Sequence, residues 1–479
     1  MSASDDRLSV LDNSFLELEK GPSHMHVGGL LVFEGPALDC EDFLEHTRRR
    51  LDLVPRYRQK LLKPPMDLGR PMWVDDPCFN LDYHVRHTSL PRPGTTEQLT
   101  KLVARIFSQR LDRTKPLWEM WLVDGLEDDR FAIISKSHHA LIDGMSGVDI
   151  ISVMFDLTPD PQEPGEDSAW QPRPLPSTAE VVAGGVAEVV QTPVRVLGRA
   201  TRLARAPRKA AEGALGVTQL LGPPAVSPAP PSPLNTSIGP HRRARWLGTD
   251  LADIKAIKNE LGGTVNDVVV TAVAGALRRW LEHRGEPADR ELRAMVPVSV
   301  RTEDQRHKLG NRVAAMRAPL PVQIGDPVER LAAVRAAMTG LKESKQALGA
   351  EVLTGLQDFA PPTLLAQAAR INFSTRLFNV IVTNVPGPQF PLYVMGRQLH
   401  EIVPFAFLPK NHALAFAIMS YNGGLRFGLL GDYDAMSDLD VVADSLEDSL
   451  AELRSVAGLP PARSGRFDRA AEPEKEAVR

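Results

Sequence analysis

A short segment of the sequence combines the residue types that acid–base chemistry needs. His138 and His139 are followed by Asp143 and Gly144, so two imidazoles, a carboxylate and a glycine lie close together along the chain. A histidine is able to take a proton from a hydroxyl group near neutral pH when its ring is held in one tautomer. The segment therefore predicts a general base.

Two other interpretations of the same residues compete with base catalysis. A single histidine is more often a surface or packed residue than a catalyst, and only the whole pattern outweighs that interpretation. His139 and Asp143 are four residues apart, which would place two metal ligands on one helix face. No third ligand follows at a recognisable spacing, and neither HExxH nor a paired-cysteine pattern occurs. We therefore rank a metal site below base catalysis and expect none.

The elements that position this segment are predicted from hydrophobic spacing. Residues 131–134 form an apolar run rich in strand formers, and apolar residues recur at helical intervals from 148 to 155. The histidines should therefore lie at a strand-to-helix junction. Further helices are predicted at 41–51 and 97–111, and further strands at 378–383 and 414–419.

Several other motifs accompany the histidine segment in a fixed order. They are Leu8-Ser9-Val10-Leu11-Asp12 with Phe15-Leu16, Met25-His26-Val27-Gly28-Gly29, Pro116-Leu117-Trp118-Glu119, Asn266-Asp267, Val296-Pro297-Val298-Ser299-Val300-Arg301, Gly310-Asn311 and Asn384-Val385-Pro386-Gly387-Pro388. The HHxxxDG pattern resembles the acyltransferases related to chloramphenicol acetyltransferase, including the condensation domains of peptide synthetases. With the other motifs, the chain resembles the bacterial wax ester synthase/diacylglycerol acyltransferases nearly end to end, with its main departure in the middle segment.

The resemblance implies an α/β (α+β) fold with two chloramphenicol acetyltransferase-like domains. Each domain would be a mixed sheet with flanking helices, and the reaction centre would lie in a channel between them. We expect the first domain at 1–158 and the second at 246–460. A Pro-rich, basic and partly helical linker would occupy 159–245, and a charged, disordered tail would occupy 461–479.

The resemblance also implies the reaction. His139 would accept the hydroxyl proton of diacylglycerol or a long-chain alcohol as the oxygen attacks the thioester carbon of acyl-CoA, without an acyl-enzyme. The products would be triacylglycerol or wax ester, with acyl-CoA as co-substrate and no bound cofactor. His138 would support the fold or hydrogen-bond the reaction centre. Asp143 would hold the loop, and Gly144 would permit its turn or leave room for substrate.

Two further motifs supply candidates for substrate binding or active-site support. Thr264 precedes Asp267 by three residues ahead of an apolar helical run, which predicts a helix cap and gives Asp267 a structural explanation. Asn266 has an amide that is able to face a ligand, and in the resembling family this Asn-Asp pair contributes to the active site. Within Pro116-Leu117-Trp118, the tryptophan either packs in the core or lines an acyl tunnel.

Composition limits the partners. The net charge of −4 over 479 residues gives no strong field that would mark a nucleic-acid binder. The two cysteines, Cys40 and Cys78, predict free thiols in a reduced cytoplasmic compartment. Asp5 and Asp6 stand where a signal peptide would be basic, and no stretch approaches the roughly 20 apolar residues that cross a bilayer. We therefore expect a cytoplasmic protein that reaches its oily substrates at the inner face of the membrane or at lipid droplets.

One segment of the predicted linker suits such a surface. Arginines recur at helical spacing between 194 and 209, while apolar residues lie towards the other side of the same helix. A basic amphipathic helix of this kind rests on anionic lipid or packs on its own protein, and the sequence does not separate these two possibilities.

Two other functions stay open at this stage. A condensation-type acyltransferase would use the same base with an amine or a carrier-bound acceptor, and the motifs shared with the oily-substrate family argue against it. A non-catalytic lipid- or CoA-binding protein would retain the histidines for packing alone, which the intact HHxxxDG pattern disfavours.

Overall fold

A computed structural model describes residues 6–67, 69–142, 154–160, 170–185, 228–299, 313–343 and 376–461. Its strands are β1 His26–Phe33, β2 Gln59–Leu62, β3 Met72–Asp75, β4 Val85–Ser89, β5 Trp118–Asp124, β6 Phe131–His138, β7 Arg242–Asp250, β8 Leu292–Ser299, β9 Val313–Leu320, β10 Val380–Pro386, β11 Tyr393–Val394, β12 Arg397–Phe405, β13 Leu414–Tyr421 and β14 Gly424–Asp432.

The α-helices in these ranges are α1 Val10–Leu18, α2 Cys40–Arg50, α3 Leu81–His84, α4 Thr96–Ser108, α5 Leu251–Leu261, α6 Val265–His283, α7 Pro327–Glu343 and α8 Leu439–Val456. Short 3₁₀ helices lie at Leu51–Leu53, Pro55–Arg58, Pro65–Asp67, Glu127–Asp129 and His139–Ile142. Within the described residues, no helix is both long enough and apolar enough to cross a membrane.

The first large sheet has the strand order β11-β12-β1-β6-β5-β4. Its centre is antiparallel, because β1 pairs with β12 on one side and with β6 on the other, while β4 and β5 run parallel. Strands β11 and β12 come from the C-terminal part of the chain. The predicted division into 1–158 and 246–460 stays a prediction, but the strands of this sheet come from both of those ranges.

The second large sheet has the order β7-β14-β13-β10-β8-β9 and is mixed. Strand β10 runs parallel to both β13 and β8, whereas the other pairs are antiparallel. Helices α5 to α8 share one apolar core with it. The predicted boundary at 246 falls inside β7, which pairs with β14 along its whole length. The paired strand therefore begins at Arg242.

The two sheets meet through a shared apolar core. Side chains from β1, β6 and β12 of the first sheet pack with side chains from β10 and β13 of the second, including Leu30, Ile134, Phe405, Ile381 and Ala417. The backbones approach so closely that a Cβ atom on Gly428 would lie 1.8 Å from the Pro404 carbonyl oxygen. Only glycine allows this contact between β14 and β12.

Local sequence signals explain most element ends, and tertiary contacts explain the exceptions. Helix α4 begins with a capping box of Thr95 and Gln98 and ends at Ser108, short of the predicted residue 111. There the buried Lys136 ammonium group donates to the carbonyl oxygens of Ile106 (2.8 Å) and Gln109 (2.9 Å). These hydrogen bonds give partners to carbonyl groups that the end of the helix leaves without one. The predicted strand at 131–134 extends to His138 because β6 is paired on both sides.

The composition of Pro386-Gly387-Pro388 predicts a turn, and the structure gives the glycine a different explanation. Strand β10 continues through Pro386, and a Cβ atom on Gly387 would lie 2.2 Å from the Ser420 carbonyl oxygen. The glycine is required for this close approach to β13.

A Gly428→Ala substitution should lower the free energy of unfolding by about 3 kcal/mol, because the new methyl group forces the two sheets apart. Gly340 is the matched control. It lies exposed inside α7 with nothing near its Cβ position, so Gly340→Ala should raise the free energy of unfolding by about 0.5–1 kcal/mol. Urea denaturation measures both values. Equal small changes would contradict the close contact.

Candidate active site

The histidine pair lies where β6 ends and a 3₁₀ turn begins. The amide of His138 donates to the Leu117 carbonyl oxygen at 2.9 Å, and the amide of His139 donates to the Met25 carbonyl oxygen at 2.8 Å. Successive amides of an extended chain point in opposite directions, so the two neighbours of β6 each hold one histidine. The backbone of the pair is therefore fixed from both sides.

The His138 ring is buried and held in one tautomer. The Ala140 amide donates to its Nδ1 at 3.0 Å, so Nδ1 is the acceptor and the ring hydrogen is on Nε2. Nε2 then donates to Glu19 Oε2 at 3.2 Å. The side chain is 1% exposed, which leaves no room for direct contact with solvent. His138 therefore fixes the turn that presents His139.

Glu19 connects this ring to helix α1 and to a distant arginine. It is the C-cap residue of α1, and its carboxylate accepts hydrogen bonds from Nε (3.0 Å) and Nη2 of Arg113. Arg113 also donates to the Leu16 carbonyl oxygen at 2.9 Å. Burial raises the pKa of Glu19, but His138 and Arg113 outweigh burial and lower the pKa to about 2. Sequence reasoning missed Glu19, because nothing in its local sequence links it to the histidine pair.

The His139 ring lies between two phenylalanines. It stacks on Phe15 of α1 with ring centroids 4.0 Å apart, and the edge of Phe407 follows at 5.8 Å. Protein surrounds the ring on most sides, yet part of the residue stays exposed. Burial lowers the pKa of His139 to about 4, with a smaller lowering from His138 and an opposing contact with its own backbone carbonyl. The imidazole is therefore neutral at neutral pH.

Two more histidines lie beside the pair and have no counterpart in the predicted site. The His26 ring is 6.1 Å from that of His138, and the His24 ring is 5.3 Å from that of His26. Burial, followed by the charges of Arg242 and Arg110, lowers the pKa of His24 to about 4. Burial also holds the pKa of His26 well below its usual value. The site is thus a group of neutral rings with one carboxylate.

The PLW motif supports the histidines mainly through backbone and packing. Pro116 is buried, and the carbonyl oxygen of Leu117 accepts from His138. Trp118 is 1% exposed, donates from Nε1 to the Tyr57 carbonyl oxygen at 2.8 Å, and stacks between Tyr57 and His84 with both ring centroids 4.6 Å away. The tryptophan is therefore a core side chain in this structure.

The Asn-Asp motif opens helix α6. The Asp267 carboxylate accepts from the Thr264 amide at 2.8 Å, and the Asp267 amide donates to Thr264 Oγ1 at 3.2 Å, which is the predicted capping box. Asn266 Oδ1 accepts from Asn384 Nδ2 at 3.4 Å, so two motifs far apart in sequence meet here. Among the described residues, neither asparagine hydrogen-bonds to His138 or His139.

Several predicted positions lie outside the described residues. They are Asp143, Gly144, Val300, Arg301, Gly310, Asn311, residues 148–153 of the predicted helical run, the basic segment 194–209 and the tail from residue 462. Within the part of the chain that the structure describes, no group of three His, Cys, Asp or Glu side chains is placed to hold a metal ion.

Replacing Glu19 should destabilise the fold around the histidine pair. We expect Glu19→Gln to lower the free energy of unfolding by about 1–3 kcal/mol, because a buried charge-assisted network with Arg113 and His138 is lost. Glu97→Gln is the control. Glu97 forms exposed ion pairs with Lys101 and Arg245, so its loss should change the value by no more than about 0.5 kcal/mol. Equal effects in chemical denaturation would contradict a structural role for Glu19.

Comparison with known proteins supports one family over most of the chain. The wax ester synthase/diacylglycerol acyltransferase catalytic domain matches residues 8–269, and the WS/DGAT C-terminal domain matches residues 309–454. Two probable diacylglycerol O-acyltransferases of Mycobacterium tuberculosis are each 34% identical to the chain. One alignment covers 94% of this chain and 96% of the relative, and the other covers 95% and 100%.

Solved structures agree with this assignment. A wax ester synthase/diacylglycerol acyltransferase from Marinobacter aquaeolei VT8 is similar with a TM-score of 0.67 and 30% identity, covering 95% of this chain and all of that one. A starter condensation domain of rhizomide synthetase is similar in fold, with a TM-score of 0.59 and 14% identity over 98% of this chain and 99% of the other. The motifs, the two-sheet architecture and these matches place the chain in the wax ester synthase/diacylglycerol acyltransferase family.

Proposed function

We propose that this acyltransferase moves the acyl group of acyl-CoA to the hydroxyl oxygen of diacylglycerol, of a long-chain alcohol, or of both. The single observation that carries the proposal is the neutral, partly exposed His139 ring fixed between Phe15 and Phe407. Family membership supports the reaction class, and the relatives named diacylglycerol O-acyltransferases support the acceptor.

His139 acts as the general base. Its Nδ1 is buried, so Nε2 is the nitrogen that reaches a substrate. As the acceptor oxygen attacks the thioester carbon, Nε2 takes the hydroxyl proton. The carbon–sulfur bond then breaks, and the proton returns to the departing CoA sulfur. The low pKa keeps the ring unprotonated at neutral pH and therefore free to accept this proton. Because the proton leaves as the oxygen attacks, neither a free alkoxide nor an acyl-enzyme has to accumulate.

The surroundings of the ring suit this role. His138 is held by Glu19 and by the Ala140 amide, so it stabilises the turn and needs no contact with substrate. The two phenylalanines exclude water from one face and one edge of His139, which protects the thioester from hydrolysis. In the same proposal, Asp143 holds the loop and Gly144 leaves room for substrate, while Asn266 contacts substrate and Asp267 caps its helix.

The acceptor is a lipid, so we also propose that the protein associates peripherally with the inner face of the membrane or with lipid droplets. The basic amphipathic pattern at 194–209 supports this association through charge and apolar area. The likeness to condensation domains concerns the fold alone and gives no support to an amine or carrier-bound acceptor.

Removal of the base should abolish most of the activity. We expect His139→Ala to lower kcat with palmitoyl-CoA and dioleoylglycerol or hexadecanol by about 10²–10⁴-fold. CoA release measures the rate, and thermal unfolding checks that the variant folds. His87→Ala is the control, because His87 is an exposed ring paired with Asp124, and it should keep full activity. An active His139→Ala would show that another group is the base.

The low pKa of His139 has a consequence for the pH profile. A base whose pKa is lowered to about 4 stays neutral until the pH falls towards that value. We therefore expect kcat to stay constant between about pH 8 and about pH 6. On the acid side of the profile (the acid limb), kcat should fall only near the lowered pKa of His139. Stopped assays at saturating substrates measure the profile. An acid limb centred on the ordinary histidine value would mean that His139 is not enclosed during turnover.

A further inference from the structure

A small hairpin stands apart from the two large sheets. Strands β2 and β3 pair with each other, and β3 also forms an isolated bridge between Met72 and Arg7. The turn between the two strands includes the 3₁₀ helix Pro65–Asp67. Met66 in this turn is 84% exposed, the highest value among the large apolar side chains of the described residues. A large apolar side chain that is exposed to this extent in a turn marks a candidate contact surface.

The backbone at the tip is also unusual. Met66 has a φ of 56° and a ψ of 23°, in the left-handed region that glycine, asparagine and aspartate normally occupy. A conformation of this kind costs free energy in the folded protein, and such positions cluster at functional sites. The turn therefore displays a large apolar side chain where a small polar residue would be more stable.

The sequence of the hairpin is basic. Between Gln59 and Met72 the sequence has three cations, Lys60, Lys63 and Arg70, against one carboxylate, Asp67, in a chain whose net charge is −4. Lys63 is exposed, and its ammonium group forms no ion pair with another described residue. Lys60 pairs with Asp76 at the base of the hairpin, and Arg70 donates to the Leu8 carbonyl oxygen at 2.8 Å, so Lys63 is the exposed cation nearest the tip. An exposed apolar side chain next to a cation suits an anionic lipid surface, because the apolar group enters the headgroup region and the cation is attracted to the phosphates.

The base of the hairpin contacts β6, the strand that ends at the histidine pair. Tyr57 directly precedes β2, its carbonyl oxygen accepts from Trp118 Nε1, and its hydroxyl hydrogen-bonds to Ser137, the residue before His138. The four residues of β2 span about 13 Å, which sets the distance between Tyr57 and the turn that carries Met66.

The chain that enters the basic segment also passes this hairpin. Val181 packs on Met72 and Val74, and Arg173 donates to the Asp75 carboxylate at 3.0 Å. Residues 170–185 therefore lie against the hairpin shortly before the chain continues into 194–209.

We propose that the tip of this hairpin, Lys63 to Met66, docks on an anionic lipid surface, with Met66 in the headgroup region and the Lys63 ammonium group at the phosphates. The proposal rests on the proposed function, because an enzyme with a lipid acceptor has to reach the surface that holds it. The hairpin then brings that surface to the side of the molecule that is connected, through Tyr57, to the catalytic strand.

Vesicle co-sedimentation tests the docking directly. With vesicles of phosphatidylglycerol and phosphatidylcholine, Met66→Glu should lower the partition coefficient about tenfold. Val456→Glu is the matched control, since Val456 is also exposed at 42% but lies at the end of α8, and it should bind like the wild type. Lys63→Ala should lower binding about fivefold on the anionic vesicles and leave binding to pure phosphatidylcholine unchanged, whereas Lys255→Ala on α5 should have no effect.

Activity with two acceptors separates this proposal from the proposed function. Met66→Glu should keep the wild-type rate with a short-chain alcohol dissolved in water and lose rate with diacylglycerol held in vesicles. A wild type without turnover of any acceptor would overturn the proposed function, while vesicle binding would still decide the role of the hairpin. Wild-type binding by Met66→Glu, or an equal loss in Val456→Glu, would overturn the docking. Binding that is lost only on deletion of 194–209 would overturn it too and assign the contact to that segment.

Discussion

The buried carboxylate of Glu19 is the interaction on which the site depends. It accepts from His138 and Arg113 at the end of α1, so one charge fixes the ring tautomer, the helix end and the loop that carries the arginine. A carboxylate is destabilised by burial unless it is fully hydrogen-bonded. Here the hydrogen bonds from His138 and Arg113 offset the loss of hydration and lower the pKa of Glu19. Because α1 also carries Phe15, the same interaction places the aromatic face against which His139 stacks.

The aromatic contacts of His139 join distant parts of the chain. Phe15 comes from the first helix and Phe407 from the segment after β12, so the environment of the base forms only when β12 is paired with β1. Gly428 allows this arrangement, because at this residue β14 of the second sheet approaches β12 of the first sheet to a distance that a Cβ atom would block. Stability of the sheet contact and enclosure of the base are therefore coupled.

Features set by neighbouring residues could be predicted from the sequence, and features set by distant contacts could not. The cap of Thr264 and Asp267, the strand before the histidines and the helix at Thr96 all follow from local spacing. Glu19 lies 119 positions before His138, and no pattern in a single sequence records that contact. The same limit applies to β12, whose place in the first sheet depends on pairing with a strand far earlier in the chain. Family resemblance supplied the role of His139, which spacing alone left open.

The measurement that tests the account most directly is the identity of the product. Wild-type protein, palmitoyl-CoA and dioleoylglycerol are incubated together, and mass spectrometry of the lipids is compared with the amount of CoA released. Triacylglycerol equal in amount to the released CoA is the predicted result, because a base enclosed by Phe15 and Phe407 directs the acyl group to the acceptor and not to water. Free palmitate in place of triacylglycerol, or no release of CoA with this acceptor or with hexadecanol, would contradict it.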